Sequence, residues 1–214
     1  MEIRSLGHSA FRITTKGVAV VLDPFDPTSV GIKFPNVDAD IVLVSHGHAD
    51  HSKSDLVGGN PIVLAAPGEY EIKGVEIKGV RTFHDNQKGS ERGKNTVFSL
   101  KIDGVTIVHL GDLGHKLEDR QAEELSEVDI LMVPVGGTFT IGAKEACGVV
   151  TQLDPRVVIP MHYSRSGLSP ALASALEPLA VFLKEMGKET VVPEQKYIIS
   201  KDKLPDELQL VVLE

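Results

Sequence analysis

A cluster of histidines around one aspartate constrains this chain more than any other feature. The cluster reads His46-Gly47-His48-Ala49-Asp50-His51. An apolar run at residues 41–45 precedes it and predicts a buried strand that delivers the cluster to the edge of a sheet. Imidazoles and carboxylates are ligands suited to zinc, iron or manganese, and the short spacing lets them diverge toward two centres. A solvated polar loop is the alternative, but such a dense cluster without a ligand repels itself once protonated.

Further residues of the same ligand types follow other predicted strands. His84 follows residues 80–83, Asp112 follows residues 105–110, and His162 follows residues 157–161. If these strands share a direction at one edge, their ends converge and bring seven side chains together. The predicted metal ligands are His46, His48, Asp50, His51, His84, Asp112 and His162.

The size and charge of the chain narrow its class. Its 214 residues predict one domain over residues 1–214, and a net charge of −8 argues against nucleic-acid or anionic-membrane binding. The single cysteine, Cys147, excludes an intramolecular disulfide and a thiolate metal site. The first residues lack the apolar core of a signal peptide, and no apolar run approaches the roughly 20 residues that span a bilayer. We therefore expect a soluble cytoplasmic protein.

The pattern of apolar residues predicts an α/β chain with mixed sheets. Short strands at residues 2–6, 10–14 and 18–22 indicate an antiparallel meander, and Asp103-Gly104 is a hairpin signal. Later strands alternate with helices. Predicted helices cover residues 118–127 and 143–153, and a longer one covers about residues 170–186 with an interruption at Pro178.

The residues quoted so far carry a family resemblance. The H-x-H-x-D-H pattern of residues 46–51 resembles the signature of the metallo-β-lactamase superfamily. "LGHSAF" at residues 6–11 and "VLDPF" at residues 21–25 resemble the N-terminus of its UlaG-like branch of lactonases and their relatives. The resemblance covers essentially the whole chain. It implies an αββα sandwich, in which two mixed β-sheets are flanked by helices.

The resemblance also implies a dinuclear centre. On that reading the first metal is held by His46, His48 and His84, the second by Asp50, His51 and His162, and Asp112 bridges them. Two divalent ions about 3.5–4 Å apart can share a hydroxide, because a cation lowers the pKa of bound water to near 7. That hydroxide is the expected nucleophile, and Asp50 is the expected catalytic residue that orients it and takes its proton. Zinc is the first expectation for the metal, with manganese and iron as alternatives.

Candidates for contact with the substrate carry weaker signals. They are His8, which the resemblance puts at the rim of the site, and Thr138, Tyr163 and Arg165. Two other histidines, His109 and His115, are interpreted as structural, although their roles stay open.

These features predict a metal-dependent hydrolase of a small anionic ester or lactone. A phosphodiesterase or nuclease is the alternative among enzymes. An oxygen-reactive di-iron protein and a non-catalytic binding module are alternatives of another class. The expected partner is a small-molecule substrate, and homo-oligomers are a further expectation because members of the branch commonly self-associate. The named member of the branch opens the lactone of ascorbate 6-phosphate, but nothing in this sequence selects that sugar phosphate.

Overall fold

The computed structural model describes residues 1–188 and 190–214, which form thirteen strands and five α-helices. The strands are β1 (Glu2–Gly7), β2 (Ala10–Thr14), β3 (Ala19–Leu22), β4 (Ile41–Leu43), β5 (Ile62–Leu64), β6 (Gly68–Ile72), β7 (Val75–Phe83), β8 (Lys94–Ile102), β9 (Val105–His109), β10 (Ile130–Pro134), β11 (Val157–Met161), β12 (Tyr197–Ile198) and β13 (Gln209–Leu210). The helices are α1 (Pro27–Val30), α2 (Asp119–Glu124), α3 (Ala143–Leu153), α4 (Pro170–Ala175) and α5 (Leu179–Glu185).

The strands form two mixed sheets. The first has the order β12-β1-β2-β3-β4-β5 and the second the order β13-β11-β10-β9-β8-β7-β6. In the first sheet β3 and β4 are parallel, and β2 lies antiparallel between β1 and β3. In the second sheet β9, β10 and β11 are parallel, and β7 is separated from β9 by the antiparallel β8. Strands β1, β3 and β4 therefore end at one edge of the first sheet, and β7, β9, β10 and β11 end at one edge of the second.

Three apolar clusters explain the layering. The central cluster combines inward-facing residues of both sheets, such as Phe11 of β2 and Phe98 of β8, so the sheets pack face to face. A second cluster joins the outer face of the second sheet to α3 and α5, with Phe182 fully buried. A third cluster covers the outer face of the first sheet with α1 and residues of α4. The predicted αββα sandwich is confirmed.

Several local predictions agree with the structure. Strands β1 to β3 form the predicted meander, and Asp103 and Gly104 take the positive φ values of 51° and 75° that a tight hairpin requires. The predicted helix at residues 143–153 is α3. The helix predicted at about residues 170–186 is two short helices, α4 and α5, because Pro178 stands as the extended N-cap of α5.

Other boundaries differ from the prediction. The apolar runs at residues 197–200 and 208–213 predict two closing strands. The observed strands are only two residues long, since β12 pairs with β1 and β13 with β11 over two residue pairs each. The helix predicted at residues 118–127 is limited to Asp119–Glu124. Among the described residues, no helix combines the length and apolar character that crossing a membrane requires.

Candidate metal centre

The strand ends of both sheets bring the seven predicted ligands to one place. Residues 46–51 follow β4, whereas His84 follows β7, Asp112 lies just beyond β9, and His162 follows β11. Potential ligand atoms within 4.8 Å of one another form three overlapping groups. The groups are His46, His48 and His84; His46, His51 and Asp112; and His8, Asp50, His51 and His162. Each sheet therefore contributes part of the cluster.

The carboxylate of Asp112 is the centre of this cluster. Its Oδ1 lies 3.2 Å from Nε2 of His51. Its Oδ2 lies 3.2 Å from Nε2 of His84 and 3.3 Å from Nε2 of His162, with Nε2 of His46 at 3.9 Å. Asp112 is only 2% exposed, so four imidazoles surround a carboxylate that water barely reaches.

The group of His46, His48 and His84 forms one side of the cluster. Nε2 of His46 faces Nδ1 of His48 at 3.1 Å. The Ser45 hydroxyl donates to Asp23 at 2.6 Å, so Nδ1–H of His46 donates to the Ser45 oxygen at 2.9 Å. This leaves the lone pair of His46 Nε2 directed at the cluster. His48 is exposed, which makes this side the open face of the centre.

The other side combines Asp50, His51 and His162. Nε2 of His51 is 3.7 Å from Oδ2 of Asp50, and the rings of His51 and His162 are stacked with centroids 5.8 Å apart. His8 joins this side, with Nε2 3.3 Å from Oδ2 of Asp50. His8 and His162 have positive φ values of 53° and 54°, which only a few per cent of residues other than glycine adopt.

Asp23, which is not among the predicted site residues, orients the ligand loop. This buried carboxylate accepts hydrogen bonds from the Ser45 backbone N–H at 2.7 Å and from Nδ1–H of His51 at 2.8 Å. The bond to Nδ1 places the lone pair of His51 on Nε2, toward Asp112. A signal for Asp23 was present in the sequence, because it follows β3 in the same way that the predicted ligands follow their strands.

Two more polar residues hold the centre from behind. The Asn95 amide donates to the Leu110 carbonyl at 2.9 Å, and its oxygen accepts from the Asp112 backbone N–H at 3.0 Å. Nε2–H of His109 donates to the Ser9 carbonyl at 2.9 Å, and its Nδ1 accepts from the Gly111 N–H. Both ring nitrogens of His109 are thereby used, in agreement with a structural role.

The unsatisfied atoms of the cluster fit a bound cation. In the part of the chain that the structure describes, Oδ1 of Asp112 and Nε2 of His51 are buried without a hydrogen-bond partner, although they lie only 3.2 Å apart. A buried polar atom without a partner costs about 1–3 kcal/mol. A divalent ion between a carboxylate and imidazoles would satisfy such atoms, and nitrogen and oxygen donors suit zinc, manganese or iron. The residues therefore fit a metal centre.

The surroundings of most of these residues favour the deprotonated form, which has a lone pair free to bind a metal. Burial, reinforced by the charge of His51, lowers the pKa of His46 to about 3, and burial also lowers the pKa of His48. Burial opposes the charged form of His51, but neighbouring carboxylates outweigh it and raise the pKa of His51 well above its usual value. Burial would raise the pKa of Asp112, but the surrounding imidazoles hold it well below its usual value. A cation at His51 would therefore compete with a proton for Nε2, because only the neutral imidazole is a ligand.

The predicted substrate contacts are placed differently. The His8 side chain is fully buried under Asp50 rather than exposed at the rim. Tyr163 is partly buried and packs against the apolar cluster that joins the second sheet to α3 and α5. The Thr138 hydroxyl donates to the Ala175 carbonyl at 2.6 Å. Burial raises the pKa of the Tyr163 phenol, and the nearby charge of Arg165 only partly opposes that rise. The ligand groups of the cluster include His8 but not the other three.

Comparisons with known proteins agree with this architecture. Residues 2–162 match the family described as the Beta-lactamase superfamily domain. A protein of Methanopyrus kandleri named UPF0173 metal-dependent hydrolase is 32% identical over an alignment 222 positions long, gaps included, that covers 90% of this chain and 95% of the relative. A protein of Pyrococcus abyssi with the same family name is also 32% identical and covers 77% of this chain and 85% of the relative.

Solved structures give the same result. A candidate zinc-dependent hydrolase of the metallo-β-lactamase superfamily from Thermotoga maritima is 42% identical, with a TM-score of 0.82 and coverage of 100% of this chain and 98% of that protein. A metallo hydrolase from Ignicoccus hospitalis is 20% identical, with a TM-score of 0.68 and coverage of 93% and 99%. The second likeness concerns the fold alone.

Proposed function

We propose that this chain, which belongs to the metallo-β-lactamase superfamily and is a metal-dependent hydrolase, acts on a small anionic ester or lactone. We propose further that the reaction takes place at a dinuclear metal centre. The observation that carries the proposal is the position of Asp112. Its two carboxylate oxygens lie within 3.3 Å of imidazole nitrogens from both sides of the cluster, as a bridging ligand requires.

The seven predicted ligands would hold the two ions as the family pattern implies. His46, His48 and His84 would hold the first ion, Asp50, His51 and His162 the second, and Asp112 both. When bound, two divalent ions supply a shared hydroxide near neutral pH and polarise the oxygen of the scissile group. Zinc is the metal we propose, because imidazole nitrogens outnumber carboxylates in the set.

Asp50 is the residue we propose to hold and move the proton. Burial would raise the pKa of Asp50, but the hydrogen bond from His8 and the charge of His51 outweigh it and lower the pKa below the usual carboxyl range. Asp50 is thus ionised at neutral pH and can accept a hydrogen bond from the attacking group. Its side chain is 22% exposed, which leaves it accessible to solvent and to a substrate.

Charge supports an anionic substrate. Two divalent ions bring about +4, two ligand aspartates about −2 and a hydroxide about −1, so the loaded centre has a net charge of roughly +1. A cationic centre attracts a carboxylate or phosphate even though the chain carries a net charge of −8. The proposed partner is therefore a small-molecule substrate.

Two finer assignments belong to the same proposal. The "LGHSAF" and "VLDPF" segments support the UlaG-like branch, and both now lie at the centre through His8 and Asp23. We also place the protein in the cytoplasm, a reducing compartment, because its single cysteine cannot form an internal disulfide.

Elemental analysis followed by a substrate screen tests the proposal. Protein purified without added metal or chelator should contain about two equivalents of metal, as a two-metal site implies. Reconstituted protein should then hydrolyse members of a panel of anionic lactones and esters faster than bis-p-nitrophenyl phosphate or short RNA. The double variant Asp50→Ala/His162→Ala should lose this activity, and the matched surface control Asp55→Ala should keep it. Hydrolysis that survives in the double variant, or a preference for the phosphodiesters, would overturn the proposal.

A further inference from the structure

We propose that His8 is a positioning residue that holds the Asp50 carboxylate in place for the second metal ion, an inference that rests on the proposed dinuclear centre. His8 lies in the turn between β1 and β2, far along the chain from every predicted ligand. The turn enters the cluster between Asp50 and His162, and two separate contacts join it to these ligands.

The first contact is made by the side chain. Nε2 of His8 lies 3.3 Å from Oδ2 of Asp50, and the His8 side chain is 0% exposed. Because an ionised carboxylate only accepts hydrogen bonds, Nε2 must carry the proton and donate it. A protonated Nε2 has no lone pair for a cation, so a His8 that makes this hydrogen bond acts on Asp50 instead of serving as a further ligand. His51 differs, because among the described residues its Nε2 has no hydrogen-bond partner.

The second contact is made by the backbone. The His162 N–H donates to the His8 carbonyl at 3.4 Å, and the rings of the two residues pack with centroids 4.2 Å apart. The positive φ of His8, 53°, is what turns its carbonyl and its ring toward the same cluster. One residue outside the ligand set therefore contacts two of the three side chains that would hold only the second ion.

Asp50 needs such a partner more than the other carboxylate does. Asp112 is 2% exposed and lies among four imidazoles. The Asp50 side chain is 22% exposed, and the residue lies in the loop after β4. Without the hydrogen bond from His8, the Asp50 carboxylate can rotate toward solvent. Loss of a hydrogen-bond partner behind a metal ligand typically weakens metal affinity by about 10–100-fold.

Two amide variants of His8 show whether a hydrogen-bond donor at the position of Nε2 is sufficient or whether the imidazole itself is required. The Gln of His8→Gln extends its amide N–H to about the position of Nε2, and the Asn of His8→Asn is one methylene too short. Asn also tolerates the left-handed backbone of this turn, so the short variant should fold. The measurement is a titration of metal-free wild type and both variants with Zn²⁺ against a competing chelator, with thermal unfolding of each metal-free protein as the control for folding.

We expect two equivalents of Zn²⁺ to bind the wild type. In His8→Asn the second equivalent should bind about 10–100-fold more weakly and the first should be unchanged, whereas His8→Gln should bind both as the wild type does. If His8→Asn binds both equivalents normally, or if it weakens both equally, His8 does not position Asp50. If His8→Gln is as weak as His8→Asn, the imidazole itself is a ligand and the inference is wrong. A wild type that binds fewer than two equivalents would instead refute the dinuclear centre.

Discussion

Replacement of Asp23 by Asn tests how the fold selects the ligating nitrogen of His51. Asp23 accepts three hydrogen bonds, from the Ser45 N–H, the Ser45 hydroxyl and Nδ1–H of His51, at 2.6 to 2.8 Å. Asn has nearly the same shape and tolerates the φ of 44° at this position, so the backbone should not be strained. However, one of its two side-chain polar atoms is a donor instead of an acceptor.

Either orientation of the new amide damages the centre. If the amide oxygen stays on the Ser45 N–H, the NH₂ group faces Nδ1 of His51, which must then accept. The ring proton moves to Nε2, 3.2 Å from Oδ1 of Asp112, and the lone pair for the metal is lost. If the amide flips, its NH₂ group faces the Ser45 N–H, which is left without an acceptor at a cost of about 1–3 kcal/mol in the free energy of unfolding. We expect the second metal to bind about 10–100-fold more weakly, which corresponds to about 1.4–2.7 kcal/mol.

Zn²⁺ titration and urea unfolding of Asp23→Asn measure both effects. The matched control is Asp129→Asn, since Asp129 also accepts from a backbone N–H, that of Thr106, and from Lys201 at the opposite end of the sheet. The control should lose stability and keep its metal affinity. If Asp23→Asn also binds two metals with wild-type affinity, the tautomer of His51 does not depend on Asp23 and the reasoning is refuted.

Three more predictions concern protons, metal and close packing. The metal-free protein should lose stability as the pH falls from 6.5 toward 4, because burial lowers the pKa of His8 to about 4 and of His46 to about 3, so that the unfolded chain binds protons that the folded chain does not. Each of the two histidines should contribute up to about 1.4 kcal/mol per pH unit in urea unfolding, and a flat profile over this range would contradict the burial of neutral imidazoles. Removal of metal by a chelator should lower Tm, since an ion present at 100 times its Kd stabilises the fold by about 2.7 kcal/mol; an unchanged Tm would mean that no metal was bound. Gly114→Ala should destabilise by about 1–3 kcal/mol and weaken the first metal, because its Cβ would meet the backbone of His84 and Asp85. Gly148→Ala, in open space on α3, should do neither, and equal losses in the two variants would remove the steric explanation.

The positions of the ligands could be predicted because they depend on strand ends. Asp112 and His162 follow apolar runs typical of buried strands, and His84 follows the strand-like segment at residues 80–83. Strands that share a direction place their ends at the same edge of a sheet. The predicted ends of strands were less accurate where the length of a strand depends on how far its neighbour pairs with it. The run at residues 208–213 is as apolar as a longer strand, yet β13 pairs with β11 over only two residues.

The residues that surround the ligands were harder to predict. Asp23 follows β3 as the ligands follow their strands, but it also precedes a proline, and Asp-Pro is typical of a turn. The turn signal favoured a loop residue over an acceptor for His51. Tyr163 follows a ligand directly, but its side chain packs against the second apolar cluster, whose members are distant in sequence. The alternation of apolar and polar residues predicts which face of the sheet a residue inside a strand occupies. It gives no such prediction for a residue just beyond the end of the strand. The direction of such side chains depends on tertiary packing.

The centre crosses the junction between the two sheets. His46, His48, Asp50 and His51 come from the first sheet, whereas His84, Asp112 and His162 come from the second. The separation between the two halves of the centre is therefore fixed by the apolar side chains that keep the sheets apart, among them Phe11 and Phe98. These residues act as spacers between the two halves of the ligand set, and we expect a smaller side chain in the shared core to change the chemistry at the edge without touching a single ligand.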